Sequence, residues 1–182
     1  MSVEVKALAA VAHVPEEKTR PLAVLIDEHD WRSTSLGPRD QWPQSLRSAL
    51  SICLGSSFPT AIYWGEDLTL LYNDAWAPIP AERHPWALGR PGAEVWADIW
   101  EVVGPQFSEV MRTGEGFAAY DQLLLMERNG IPTETWWNYS CTPIIGEDGR
   151  VAGIFNQGNE TTERVLGERR AALLLELGDR MR

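Results

Sequence analysis

The sequence predicts an α+β domain in which two strands precede a group of short helices and three strands follow it. Three observations carry this expectation. Two apolar runs, residues 61–64 and 68–72, flank a Gly65-Glu66-Asp67 break, which is the composition of a β-hairpin. Asn129-Gly130, among the strongest short hairpin signals, separates two further strand-like runs. Ahead of both, Trp42, Leu46, Leu50 and Leu54 recur at helical spacing.

Taken in order, residues 1–20 are polar and weakly patterned and are expected to form a mobile arm. Residues 21–57 read as a helical extension. Leu22, Leu25 and Ile26 share one helical face, Gly37-Pro38 makes a turn, and Asp40 is placed to cap a second helix over 41–54 that Gly55-Ser56-Ser57 ends. After the first hairpin, Asn73-Asp74 is expected to cap a short helix interrupted by Pro78 and Pro80. Residues 93–100 give one or two helical turns, and 102–113 a longer helix with Gly114 as its stop. Strands are expected over 122–127, 133–142 and 151–157. In the second of these Thr135, Trp137, Tyr139 and Cys141 fall on one face. From Glu160 the pattern turns helical, with Leu166, Leu173 and Leu177 on one stripe, too short for a proven coiled coil. The boundaries are therefore an arm (1–20), an extension (21–57), a core (58–159) and a C-terminal linker helix (160–182), expected to lead into a following domain.

Composition bounds the chemistry. The chain has 182 residues, 44% hydrophobic, enough for one core. Its net charge of -10 argues against the clustered basic surface that nucleic acid requires. Cys53 and Cys141 stand far apart with no Cys-x-x-Cys spacing, so neither a disulfide scaffold nor a metal site is expected. No apolar run approaches the roughly 18 residues that cross a bilayer. Glu4, Glu16 and Glu17 stand where a signal peptide would be basic, so a cytoplasmic chain without a membrane partner is expected. Gly-x-Gly-x-x-Gly, Walker, Gly-x-Ser-x-Gly and His-Glu-x-x-His motifs are all missing, as is a kinase ATP lid, so no catalytic residues are assigned. Nine tryptophans are many, and rings so large tend to line a cavity or an interface as well as fill a core.

The order of elements, together with Asp30-Trp31, Leu36-Gly37-Pro38, Trp42-Pro43-Gln44-Ser45-Leu46, Tyr72-Asn73-Asp74, His84-Pro85, Leu88-Gly89-Arg90, Glu127-Arg128-Asn129-Gly130 and Glu160-Thr161-Thr162-Glu163-Arg164, resembles the PAS sensor fold. It is most similar to a subgroup at the N-terminus of bacterial multidomain sensor histidine kinases. The resemblance implies a five-stranded antiparallel sheet with short helices over one face, enclosing a small-molecule cavity, and a C-terminal signalling helix. It places Glu160, Thr161, Thr162 and Arg164 at the signalling junction, with Glu160 where such domains commonly carry Asp.

The resemblance also implies ligand-pocket candidates: Tyr72, Trp96, Trp100, Trp137, Tyr139, Phe155 and His84. Two arrangements remain open, rings that line a cavity and rings that fill it. Asn73 and Asn138 stand as polar groups for a ligand or as turn and surface residues. His84 is the only core histidine that haem could use as an axial ligand, but it precedes Pro85 in a loop, and a hydrogen-bonded structural role is favoured over haem ligation. Gly89-Arg90 resembles the start of the light-oxygen-voltage flavin motif. Pro91-Gly92 stand where that motif has Asn and the adduct-forming Cys, so cysteinyl-flavin photochemistry is not expected. The implied partners are a small molecule, a second copy of the chain, and a histidine kinase or response regulator. The alternative to a sensor is a ligand-free dimerisation module using the helices at 41–54 and 160–177.

Overall fold

Five strands form one antiparallel sheet in the computed structural model, which describes residues 19–180; all but the last two residues of the expected arm lie outside that range. The strands are β1 (Thr60–Trp64), β2 (Thr69–Tyr72), β3 (Phe117–Arg128), β4 (Ile131–Ile145) and β5 (Val151–Glu160), in spatial order β2-β1-β5-β4-β3. The last strand thus enters between the first hairpin and the second.

Register fixes which side chains share a face. Tyr63 stands opposite Ile154, Tyr139 opposite both Ala119 and Gly158, and Trp137 opposite Gln122 and Glu160. The alternation from Thr135 to Cys141 therefore turns these residues inward, and all but Tyr139 are buried.

The helices are α1 (Leu22–Glu28), α2 (Gln44–Gly55), α3 (Gly92–Val95), α4 (Trp100–Thr113) and α5 (Thr162–Arg180). β1 and β2 are buried on both faces. Phe107 of α4 meets the Tyr63 ring at 4.6 Å on one side, and Leu46, Ala49, Leu50 and Cys53 of α2 are buried where that helix packs on the hairpin. α4 crosses β3, β4 and β5, and Gly114 ends it with φ 71, as its sequence predicts.

Several boundaries differ from the sequence expectation, each for a local reason. α2 starts at Gln44 behind Pro43, and Asp40 lies in a separate 3-10 turn, Arg39–Gln41, instead of capping it. Asn73-Asp74 opens a run of tight turns through Pro80 and no helix, because Pro78 and Pro80 supply no N–H to continue one. β3 begins at Phe117, five residues earlier than expected, and carries a bulge between Ala119 and Gln122 in which Asp121 has φ 47. Among the described residues no helix is long and apolar enough to cross a membrane.

A candidate ligand cavity and its link to the exit helix

Between the sheet and its helical cover lies an apolar cavity. β1 contributes Tyr63, β3 Leu124 and Met126, β4 Trp137 and Tyr139, and β5 Asn156 and Gly158. The cover contributes Trp76 and Ile79 from the turns after β2, Trp96 and Ile99 from the segment after α3, and Val103 and Phe107 from α4. The centre of a water-sized molecule can move through about 60 Å3 of it.

Hydrogen bonds and stacked rings hold the walls. The Trp96 Nε1–H donates to the Tyr63 hydroxyl at 2.8 Å, and the Tyr139 hydroxyl donates to Gln106 Oε1 at 2.5 Å. Behind Trp96 the Arg83 guanidinium stacks at 5.4 Å and pairs with Asp98 at 2.7 Å. Asp98 also accepts from the Glu127 N–H at 2.7 Å, and Glu82 from the Asn129 N–H at 3.0 Å. The cover is thereby fastened to the β3–β4 hairpin. Burial pushes the Tyr63 phenol far up, and the Tyr139 phenol and Cys141 thiol each to about 12, so this part of the sheet is uncharged at neutral pH.

Of the seven pocket residues read from the sequence, the structure brings Trp96, Trp137 and Tyr139 together on the lining. The other four lie outside it. Tyr72 is buried one layer back, its ring 4.8 Å from Trp76 and its hydroxyl 2.9 Å from His84 Nδ1. His84 shares that site behind the wall. Trp100 packs edge-on to Phe107 at 6.1 Å, beside Gly104. Phe155 stands opposite Ile62 and Thr142, on the strand face that alternates away from Asn156. Asn73 is spent on structure, and Asn138 Oδ1 accepts from the Asp121 N–H at 2.8 Å.

Neither haem nor flavin fits this lining. His84 is outside it, neither buried cysteine reaches it, and the space is far below the roughly 300–1,000 Å3 typical of cofactor clefts. Among the described residues no group of three or more His, Cys, Asp or Glu side chains could hold a metal.

The sheet is joined to α5 by a polar junction containing all four residues named from the sequence. Arg128 grips Glu160 with both guanidinium nitrogens, at 3.3 and 2.8 Å. The Thr162 hydroxyl donates to Glu160 at 2.7 Å and accepts from the Trp136 N–H at 2.9 Å. Thr161 donates to Asp121 Oδ1 at 2.8 Å, and Arg164 forms an ion pair with the same carboxylate. Five residues further, Arg169 pairs with Glu134 at 2.9 Å and lies over the Trp136 ring. Asp121 and Glu134 carried no sequence signal, because each becomes a partner only once β3 and β4 are folded beside α5.

Hydrogen bonds from Arg164 and Thr161 hold the Asp121 carboxyl below its ordinary value, and the Trp136 indole N–H and Arg169 do the same for Glu134. A depressed carboxylate pKa contributes stability that is present above the ordinary value and lost as pH falls through the depressed one. Acidification below about pH 4 is therefore expected to loosen α5 before the sheet melts. Amide exchange at residues 162–170 that accelerates in acid ahead of β4 amides would bear this out, and parallel acceleration would count against it.

No protein-family model matches the sequence, and no curated protein is similar to it. Solved structures do share its shape. An RNA-binding light-oxygen-voltage receptor superposes over 81% of this chain at 18% identity and a TM-score of 0.50, and the chain spans 42% of that receptor's length. A light-oxygen-voltage protein of Rhodobacter sphaeroides superposes over 74% of this chain and 80% of its own, at 11% identity and a TM-score of 0.51. Likeness at these identities is a likeness of fold.

Proposed function

We propose, on the premise that this chain has the PAS fold, that it is a sensory module: a small molecule enters the cavity and α5 carries the response to a histidine kinase, in cis or in trans. The observation that carries this reading is a lined apolar cavity sharing strands with the exit-helix junction. Trp137 and Tyr139 line the cavity from β4, and Trp136 of the same strand holds Thr161 and Thr162. A ligand that binds one arrangement of these strands better than another shifts the balance between them, and the junction delivers that shift to α5. Trp96, Trp137 and Tyr139, joined by Tyr63, Trp76 and Asn156, are the proposed ligand contacts.

Native mass spectrometry of the chain isolated from cells tests it. A small molecule released on denaturation is the expected result. Protein that is free of ligand under every growth condition, and whose effect on a partner kinase survives removal of residues 160–182, would overturn it.

The exposed Leu173, Leu174, Leu175 and Leu177 of α5 favour a second reading, an association module without ligand. α2 has no such free stripe, because Leu46, Leu50 and Cys53 are buried within the chain. Association in that reading rests on α5.

A further inference from the structure

The size, charge and hydrogen-bonding groups of the cavity specify a class of ligand. Its centre space of about 60 Å3 is far below the roughly 300–1,000 Å3 of drug-sized clefts, which limits an occupant to one six-membered ring with small substituents. Trp76, Trp96, Phe107 and Trp137 present ring surfaces to that space, and flat rings pack on one another by offset and edge contacts. No Lys, Arg, Asp or Glu lines it, and the nearby phenols and the Cys141 thiol are held neutral by burial, so an ion would enter without a counter-charge.

Two polar groups on the lining are only half used. The Tyr63 hydroxyl accepts from Trp96 but gives its own proton to no residue among those described. Asn156 spends its Nδ2 on Ser140 O at 3.0 Å and Cys141 Sγ at 3.6 Å, while its Oδ1 takes part in no hydrogen bond. They are diagonal neighbours across the β1–β5 pair, since Asn156 stands opposite Ala61. One offers a donor and the other an acceptor to the same space.

We infer that the cavity takes a neutral, single-ring aromatic or heteroaromatic molecule with an acceptor for Tyr63 and a donor for Asn156, as on the edge of a cyclic amide. This rests on the ligand-binding reading above and names its chemistry.

Four probes test it on the full chain by calorimetry: 2-pyridone, benzene (one ring without the polar edge), benzoate (one ring with a charge) and 2-quinolone (the same edge on two rings). 2-Pyridone is expected to bind at least about tenfold more tightly than each of the others, tenfold being the scale of one well-placed hydrogen bond. Tyr63→Phe is expected to weaken 2-pyridone about tenfold and leave benzene unchanged. Asn156→Leu provides a second removal, and the indole N–H resonance of Trp96 reports occupancy independently of heat. Equal or tighter binding of benzoate or 2-quinolone, or 2-pyridone affinity indifferent to both substitutions, overturns the inference. If no probe binds but protein from cells still releases a molecule, the class named here is wrong and the sensory reading stands. If nothing is released either, both fall.

Discussion

Replacing Asn73 with aspartate is expected to destabilise the chain by about 3–5 kcal/mol at neutral pH, and by much less in acid. Asn73 is 2% exposed and uses both ends of its amide. Oδ1 accepts from the Thr60 N–H at 3.1 Å and the Trp76 N–H at 3.0 Å. Nδ2 faces three carbonyls, Cys53 at 3.1 Å, and Ser56 and Phe58 each at 2.9 Å. One side chain thus ties the end of α2, the start of β1 and the turns after β2. Aspartate keeps the acceptor but turns a second oxygen on three carbonyl oxygens. Its carboxyl would titrate above the ordinary value of about 3.9 in the folded chain. A raised carboxyl pKa imposes a penalty that is small below the ordinary value and grows as pH rises to the folded one. Urea midpoints of the variant and wild type, compared at each pH from 4 to 8, should diverge as pH rises. A constant gap would mean that the three carbonyls are not the cause.

Gly158→Ala is expected to lose about 2–4 kcal/mol, the upper range for overpacking. A Cβ there would sit 2.7 Å from the backbone oxygen of Asn138 and 2.7 Å from Tyr139 Cβ. Neither is the end of a flexible side chain, so relief requires β4 and β5 to separate. That separation falls three residues before Thr161, so the junction should suffer with the sheet. Denaturant unfolding measures the stability loss, and amide exchange at Thr161 and Arg164 measures the loosening. An alanine variant of wild-type stability would show that the strands yield cheaply. Alanine at Gly130 is a useful contrast, because there φ 74 strains the backbone while nothing stands near the added carbon.

What could be read from the sequence, and what could not, follows from the range of the interactions. The β3–β4 hairpin was legible because Asn129-Gly130 is a local signal, and the inward face of β4 because polar and apolar residues alternate there. Val151 to Gly158 does not alternate clearly, so its parity is set by pairing with β1 and β4. That is why Phe155 falls away from the cavity and Asn156 faces it. Tyr63 and Phe107 carry no local signal of a place on the cavity, since their meeting depends on how α4 crosses the sheet. Residues 117–121 hid their strand character because the bulge breaks the two-residue period. Asn73 looked like a turn cap, which it is at Trp76, but its three distant carbonyl partners exist only in the folded chain.

The bulge at Tyr120 and Asp121 interrupts the β3–β4 ladder between the rung that pairs Ala119 with Tyr139 and the rung that pairs Gln122 with Trp137. Asp121, which anchors Arg164 and Thr161, belongs to neither rung. Its backbone N–H is held instead by Asn138 Oδ1, between the two rungs, so uneven movement of the rungs is expected to shift it more than a movement they share. The foot of α5 is thus mounted like the pointer of a differential gauge, expected to register uneven spreading of the two aromatic rungs beneath it more than breathing of the whole sheet.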